Sequence, residues 1–316
     1  MELQDLKEII ACLSGDRTKF YYFKDRYALM LLKDYIKQQV GDKTLPVSAL
    51  KQSHLASLLN KAVVKKALAL AGDGMVSAAH FDMVWDDKPL AFVLTLAQWG
   101  EGKRHWQWNQ MSRPGYHLVL QINMATDHSQ HLRHLIRLNN INCFNYWGHP
   151  SLQEGDRGTL AWVRLDLDFS TGEVLIEEIQ NDWIRRVRSA VRYKQSRHRF
   201  SHIFGDFSYQ EIKTYADQVL APYAKIWEEA MLSATIDFVR HELGLQKIYY
   251  HSFEQGALLK HIKGTKPPRS LYTKLPRQFG FQKTPQGPEF LMREKRVLKL
   301  QKKVKEPYWF TLKNVA

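Results

Sequence analysis

A chain of 316 residues, 44% hydrophobic and 25% charged, has the balance of a globular protein and the length for one large core or two ordinary ones, which excludes a wholly disordered chain. Its longest apolar runs, such as 89–97, fall far short of the roughly 20 residues that cross a bilayer, and Glu2, Asp5, Lys7 and Glu8 interrupt the first turns, so neither a membrane partner nor a secretory leader is expected. The formal charge of +14 is uneven: residues 256–316 hold fifteen Lys and Arg against Glu289, Glu294 and Glu306, a net of +12. Only Cys12 and Cys143 are present, too few for a disulfide framework, and the cytoplasm is the simplest location.

In chain order, Leu3, Leu6, Ile9 and Ile10 recur at helical spacing, and Phe23, Tyr27, Met30, Leu31 and Ile36 repeat the pattern before Gly41. A third helix is predicted over 53–70, closed by Gly72-Asp73-Gly74. The pattern then changes to strands at 89–98 and 116–124, the second alternating with a period of two. Thr126-Asp127 opens a helix to Leu138 carrying His128, His131 and His134, which drift around the helix and read as surface residues rather than a metal site. His198 and His202 sit at i, i+4 with no carboxylate or thiol at a suitable offset, so no metal ligand is expected there either. Residues 159–169 alternate cleanly, Ser170-Thr171-Gly172 turns the chain and 173–180 returns, a hairpin.

A basic segment follows, with Arg185, Arg186, Arg188, Arg192, Lys194, Arg197 and Arg199 and no acid among them. Pro222 opens a long helix with an apolar stripe of Tyr223, Ile226, Trp227, Ala230, Met231, Ala234 and Phe238, stopped by Gly244. Residues 245–251 read as a buried strand, 253–262 as a short helix, and 271–294 as a helical turn and a hairpin around Pro285-Gln286-Gly287-Pro288. No internal repeat is evident.

This order of a strand hairpin, long helix, strand, short helix and then Tyr272-x-x-x-Pro276-x-x-x-Gly280-Phe281 resembles the core of the GNAT-type acyltransferases over about 156–294. The resemblance implies acyl-coenzyme A held beside the strand 174–180 and the helix 223–243, with Tyr272 near a departing thiolate. The family's glycine-rich pyrophosphate loop has no counterpart after Gln180, so acyl-coenzyme A is a possible cofactor rather than an expected one. More literally, Glu177-Glu178-Ile179-Gln180-Asn181-Asp182-Trp183 after Leu160-Ala161-Trp162-Val163-Arg164 resembles a module of phage and mobile-element polyvalent proteins that reads Glu-Glu-Leu/Ile-Gln-Ser-Asp-Trp. No activity comes with that likeness.

Alternation puts Glu178, Gln180 and Asp182 on one face of a strand end and Glu177, Ile179 and Asn181 on the other. Polar groups there are costly to bury unless paired or used, so Glu178 or Asp182 reads as a general base or metal ligand with Gln180 orienting a substrate, or else as an ion pair with Arg164 or Arg185. Arg185, Arg186 and Arg188 are placed to hold phosphate, with His251 and Lys274 as further substrate-binding candidates. Under the acyltransferase resemblance Tyr272 would donate a proton to the departing thiolate, although a Tyr beside a Gly-Phe hairpin is more often a core aromatic. The clusters Trp106-Gln107-Trp108 and Phe144-Asn145-Tyr146-Trp147 suit either base stacking or packing.

The expectation is an α/β (α+β) protein: a helical region over 1–75, antiparallel strands with a short helix over 76–155, a GNAT-like domain over 156–294 with a basic insertion at 184–221, and a basic tail over 295–316. Its function reads as group transfer on a phosphate-bearing or nucleic-acid-linked substrate, or alternatively as nucleic-acid binding without catalysis. Over 293–305, Arg293, Lys295, Arg296, Lys299, Lys302 and Lys303 would form basic rows if the stretch is helical, which suits a polyanion, nucleic acid first among them. Oligomeric state leaves no trace in the sequence.

Overall fold

Runs rich in β-branched and aromatic residues form strands β1 (Lys19–Tyr22), β2 (Leu45–Pro46), β3 (Met75–Val76), β4 (Leu90–Trp99), β5 (His117–Met124), β6 (Thr159–Asp168), β7 (Glu173–Gln180), β8 (Lys247–His251), β9 (Gln282–Thr284) and β10 (Trp309–Leu312). With the helices between them they make a mixed α/β protein. The computed structural model describes residues 1–12, 19–100, 107, 110–136, 141–146, 148–151, 157–196, 207–262, 264 and 267–312. His198, His202, Trp106, Trp108 and Trp147 lie outside the described residues. Among the described residues no helix is long and apolar enough to cross a membrane.

The chain divides into two compact units, neither a continuous stretch: Met1–Tyr21, Leu90–Leu167 and Ile176–Thr235 form the first, and Tyr22–Pro89, Asp168–Leu175 and Ile236–Ala316 the second. In the first unit the strand order is β1, β4, β5, β6, β7, with β4 antiparallel to β5 and β5 antiparallel to β6. Every residue of β5 is buried, as are nine of the ten of β6, so the alternating pattern marks two covered faces rather than one dry and one wet. Leu118, Leu120, Ile122 and Met124 fill one face. The other is a buried polar layer, in which Thr95 Oγ1 donates to Gln121, Asn123 Nδ2 donates to Thr95 Oγ1 and Thr159 Oγ1 donates to Asn123.

Asn181 caps the helix Asp182–Gln195, its side chain accepting from Ile184 N at 2.8 Å, so the basic segment starts as a helix directly off β7. Trp183 in the first turn is fully buried and donates to Tyr215 Oη at 2.7 Å. Phe144 and His128 pack against it. His128 is therefore a core residue and not a surface one: it is 2% exposed and hydrogen-bonded to Tyr215, while His131 and His134 on the same helix (Thr126–Leu135) are exposed. The helix Ala221–Asp237 is also buried more widely than its apolar stripe implies, with every residue from Glu229 to Ile236 inside.

In the second unit the helix Arg26–Val40 buries Tyr27, Leu31, Leu32 and Ile36. The single helix expected over 53–70 is replaced by Val47–Gln52, a 3₁₀ turn at Ala56–Asn60 and Ala62–Ala69. Ser53 makes the break: its hydroxyl donates to Leu50 O and accepts from Leu55 N, which stabilises an extended Ser53 instead of a helical one. Likewise the hairpin expected around Pro285 does not close on itself. β9 pairs with β10, Trp309 standing opposite both Thr284 and His251, and residues Glu289–Met292 are helical. Residues 295–316 thus hold a helix, Lys295–Gln301, and a fully buried strand. Leu259, Phe290, Leu291, Val297 and Trp309 form the core beneath them.

Candidate functional site

In the first unit, β5, β6 and β7 carry a concentration of buried charge. Arg164 is 0% exposed, lies 4.8 Å from the centre of the Trp99 ring and donates to Glu178 Oε2 at 2.9 Å. Gln180 Nε2 donates to the other oxygen of Glu178 at 2.6 Å. Asp182, at the start of the next helix, accepts from Trp162 Nε1, is hydrogen-bonded to His149 Nδ1 at 2.7 Å and pairs with Arg185. Burial pushes its carboxyl up, but His149, Arg185 and Trp162 outweigh this and hold it below the usual carboxylate range. Of the expected catalytic set, Glu178 and Gln180 are therefore joined directly, and both Glu178 and Asp182 sit in ion pairs.

A second group lies deeper. Asp166 accepts from Arg113 through Nε, at 2.9 Å to Oδ2 and 3.1 Å to Oδ1, and through Nη2 at 2.9 Å to Oδ1. Glu177 accepts from Ser112 N and Ser112 Oγ, each at 3.0 Å. His117 completes the group, its Nε2 3.7 Å from Asp166 Oδ2. His117, Asp166 and Glu177 are all fully buried, and one ligand atom of each lies within 4.8 Å of the others. Burial holds the imidazole of His117 well below its usual pKa, with Arg164 and Arg113 adding to the effect and Glu177 opposing it. Burial also raises Asp166 to about 6 against the pull of Arg113. Strict alternation would put Glu177 and Glu178 on opposite faces, yet Glu177 reaches Asp166 and Glu178 reaches Arg164, two residues of one face of β6.

The sequence reading passes over His117, Ser112, Arg113 and Asp166. One signal was available: Arg164 and Asp166 stand two apart in an otherwise apolar strand, charges that alternation places on a single face.

Arg188 and Arg192 are exposed along the helix Asp182–Gln195, Arg185 is exposed beside Asp182, and Arg186 is half-buried. The expected catalytic Tyr272 and the other expected substrate-binding residues, His251 and Lys274, belong to the second unit. His251 is fully buried against Trp309, and Tyr272 is 2% exposed, stacked on Tyr250 beneath the Lys260 ammonium. Lys274 is exposed at the start of a short helix.

The same unit presents the basic helix Lys295–Gln301. Val297 and Leu300 pack into the core, and Lys295, Arg296 and Lys299 are exposed, as are Lys302 and Lys303 just beyond. Arg293 pairs with Glu289, and Arg296 donates to Leu259 O and contacts His261. Among the described residues Lys295, Lys299, Lys302 and Lys303 make no hydrogen bond or ion pair through their side chains. This unit also contains a cleft of about 330 Å³ lined by Arg26, Lys33, Asp34, Lys37, Trp85 and His241 among others, in which charges of both signs are present. Compared with known proteins, the chain matches no family model, no curated protein and no solved structure.

Proposed function

We propose that the protein binds nucleic acid through its backbone, with little preference for sequence. The observation that carries this reading is the run Lys295, Lys299, Lys302 and Lys303, exposed and, among the described residues, without ionic partners, on and just beyond a short helix anchored by Val297 and Leu300. A solubilising surface intersperses charges of both signs, whereas cations without acids among them create a field that phosphates relieve. Ammonium groups on a rigid support contact phosphate oxygens and carry no information about bases. Arg188 and Arg192 are exposed on the first unit as a separate set of cations.

Group transfer is the weaker reading. A general base needs a carboxylate able to take a proton from substrate, and Glu178 is held by Arg164 and Gln180 while Asp182 is held by Arg185 and His149. Coenzyme A would also find an amide in the first turn of the helix after β7 already bonded to Asn181.

Fluorescence anisotropy with labelled single- and double-stranded DNA and RNA tests the proposal. Affinity should be similar across sequences and fall with salt by roughly 0.7 to 0.9 log units per log unit of salt for each phosphate bound. Absence of binding at low salt, or strong selection of one sequence at all salts, would refute it.

A further inference from the structure

We propose that His117, Asp166 and Glu177 form a binding site for one divalent transition-metal cation. Three neighbouring strands deliver one ligand each, an imidazole and two carboxylates, with ligand atoms within 4.8 Å of one another. Around an ion with bonds of about 2.0–2.2 Å, ligand atoms stand roughly 3 to 3.5 Å apart, so small rotations of these side chains close the site.

The imidazole points to a missing partner. His117 is 0% exposed, and neither Nδ1 nor Nε2 has a hydrogen-bond partner among the described residues. A buried polar group left unsatisfied is costly, and a protein tolerates that where the group has another use. Either ring nitrogen of a neutral imidazole can ligate a metal.

The surroundings are those of a supported ligand set. Ser112 holds both oxygens of Glu177 and Arg113 both oxygens of Asp166, so one loop orients two carboxylates in the way outer partners orient metal ligands. Arg113 is 14% exposed at its side chain, so it can withdraw from one oxygen of Asp166 and leave that oxygen for the ion. The donor set also narrows the identity. One nitrogen and two oxygen donors without a thiolate suit Zn²⁺, Mn²⁺ or Fe²⁺ better than Cu⁺, and the imidazole disfavours the all-oxygen shells of Mg²⁺ and Ca²⁺. This site stands independently of nucleic-acid binding.

The test uses the full chain, stripped with a chelator and dialysed against Zn²⁺, Mn²⁺ or Co²⁺, with metal content, thermal stability and the visible spectrum of the Co²⁺ form as readouts. The expected result is one ion per chain, a raised Tm, and Co²⁺ absorption typical of a low-symmetry site. His117→Gln and Glu177→Gln should each weaken binding at least about 100-fold, beyond the 10- to 100-fold typical of an outer partner. The double variant His131→Gln/His134→Gln, which removes exposed imidazoles, should leave it unchanged. Circular dichroism checks each fold, and should His117→Gln not fold, Glu177→Gln and the wild-type measurement decide. No ion retained by the wild type at micromolar metal, binding that survives in a folded His117→Gln or Glu177→Gln, or binding lost with the surface histidines would each overturn the proposal.

Discussion

The charges on β5, β6 and β7 and those on the helix Lys295–Gln301 are the same kinds of group under opposite constraints. Arg164, Asp166, Glu177 and Glu178 are almost wholly inside, and each carries named partners: Arg164 with Glu178, Arg113 with Asp166, Ser112 with Glu177. Lys295, Lys299, Lys302 and Lys303 are outside and need none, because water solvates them. Removing one partner therefore means something different in each place. Inside, it strands a charge and the fold responds; outside, the fold hardly changes and only an external polyanion can register the loss.

The largest effect follows from Arg164→Met. It takes the guanidinium away from Glu178, which stays buried and keeps the amide of Gln180, and it leaves that carboxylate without its arginine counter-charge near the stacked Trp99 and Trp162 indoles, whose centres are 5.9 Å apart. Breaking one side of a buried pair costs about 3–5 kcal/mol, whereas removing both charges is often nearly neutral. Urea unfolding should accordingly show a loss of that size for Arg164→Met, most of it recovered in Arg164→Met/Glu178→Gln. A single variant as stable as wild type would mean that the pair is solvated and that the contrast between inside and outside charges fails here.

His128 sharpens the contrast through pH. Burial holds it at about 4, with Asp127 partly opposing, while an unfolded histidine titrates near 6.5. Because the folded pKa is depressed, the stabilisation is fully present above pH 6.5 and is lost as pH falls towards 4, where the unfolded chain takes a proton that the folded chain refuses. The full loss is of the order of 3 kcal/mol. In His128→Phe this component disappears, and Tyr215 keeps its bond from Trp183, so the variant's stability should fall less between pH 7 and pH 4.5 than that of wild type. Parallel pH profiles would place His128 in contact with water.

A smaller effect tests the packing that holds the strand end in place. Gly158 lies so close to Trp183 that a Cβ there would overlap the indole, which is fully buried and fixed by Tyr215. Overpacking of this kind costs about 1–3 kcal/mol. Gly158→Ala should lower Tm by several degrees and shift the tryptophan emission to the red, while Gly172→Ala, at φ +67 with open space around it, should lower Tm without the spectral change.

Much of this architecture is legible in the residues, and the exceptions share a cause. The hairpin of β6 and β7 reads directly, because Gly172 takes the left-handed turn and Asp168 Oδ1 accepts from Thr171 N. The stretch Glu177–Trp183 also has a local explanation: a strand end, then an Asn cap, an Asp in the first turn and a buried Trp. Ser and Asn cap helices about equally well, so either residue suits the position of Asn181. By contrast, alternation in β5 conceals that His117, Gln121 and Asn123 face inward, since period two reveals which residues share a face but not whether water reaches it. For the same reason β10 is hidden: Trp309–Leu312 is a four-residue run between charged segments, identified as a strand only by its partners β8 and β9. Asp166 and Glu177 lie eleven residues apart in the hairpin of β6 and β7, but His117 precedes Asp166 by 49 residues, and only the pairing of β5 with β6 brings it to them.

The smallest effect on stability, and the one that separates the two regions most clearly, belongs to the outside charges. Lys295→Gln, Lys299→Gln, Lys302→Gln and Lys303→Gln together remove four exposed cations that hold no acid among the described residues, so each should change stability by within about 0.5 kcal/mol. Relief of like-charge repulsion acts in the opposite direction and raises the urea midpoint slightly. If these lysines bind phosphates, the same variant should hold single- and double-stranded nucleic acid more weakly at low salt, and its plot of log affinity against log salt should flatten by roughly 0.7 to 0.9 for every phosphate no longer bound. Stability and binding then report on different charges: Arg164→Met unfolds the chain at lower urea, while the four-lysine variant folds as before and binds with a shallower salt dependence. Identical salt slopes for the variant and the wild type would make the helix Lys295–Gln301 a solvated face, and would move the search for the nucleic-acid surface to Arg188 and Arg192.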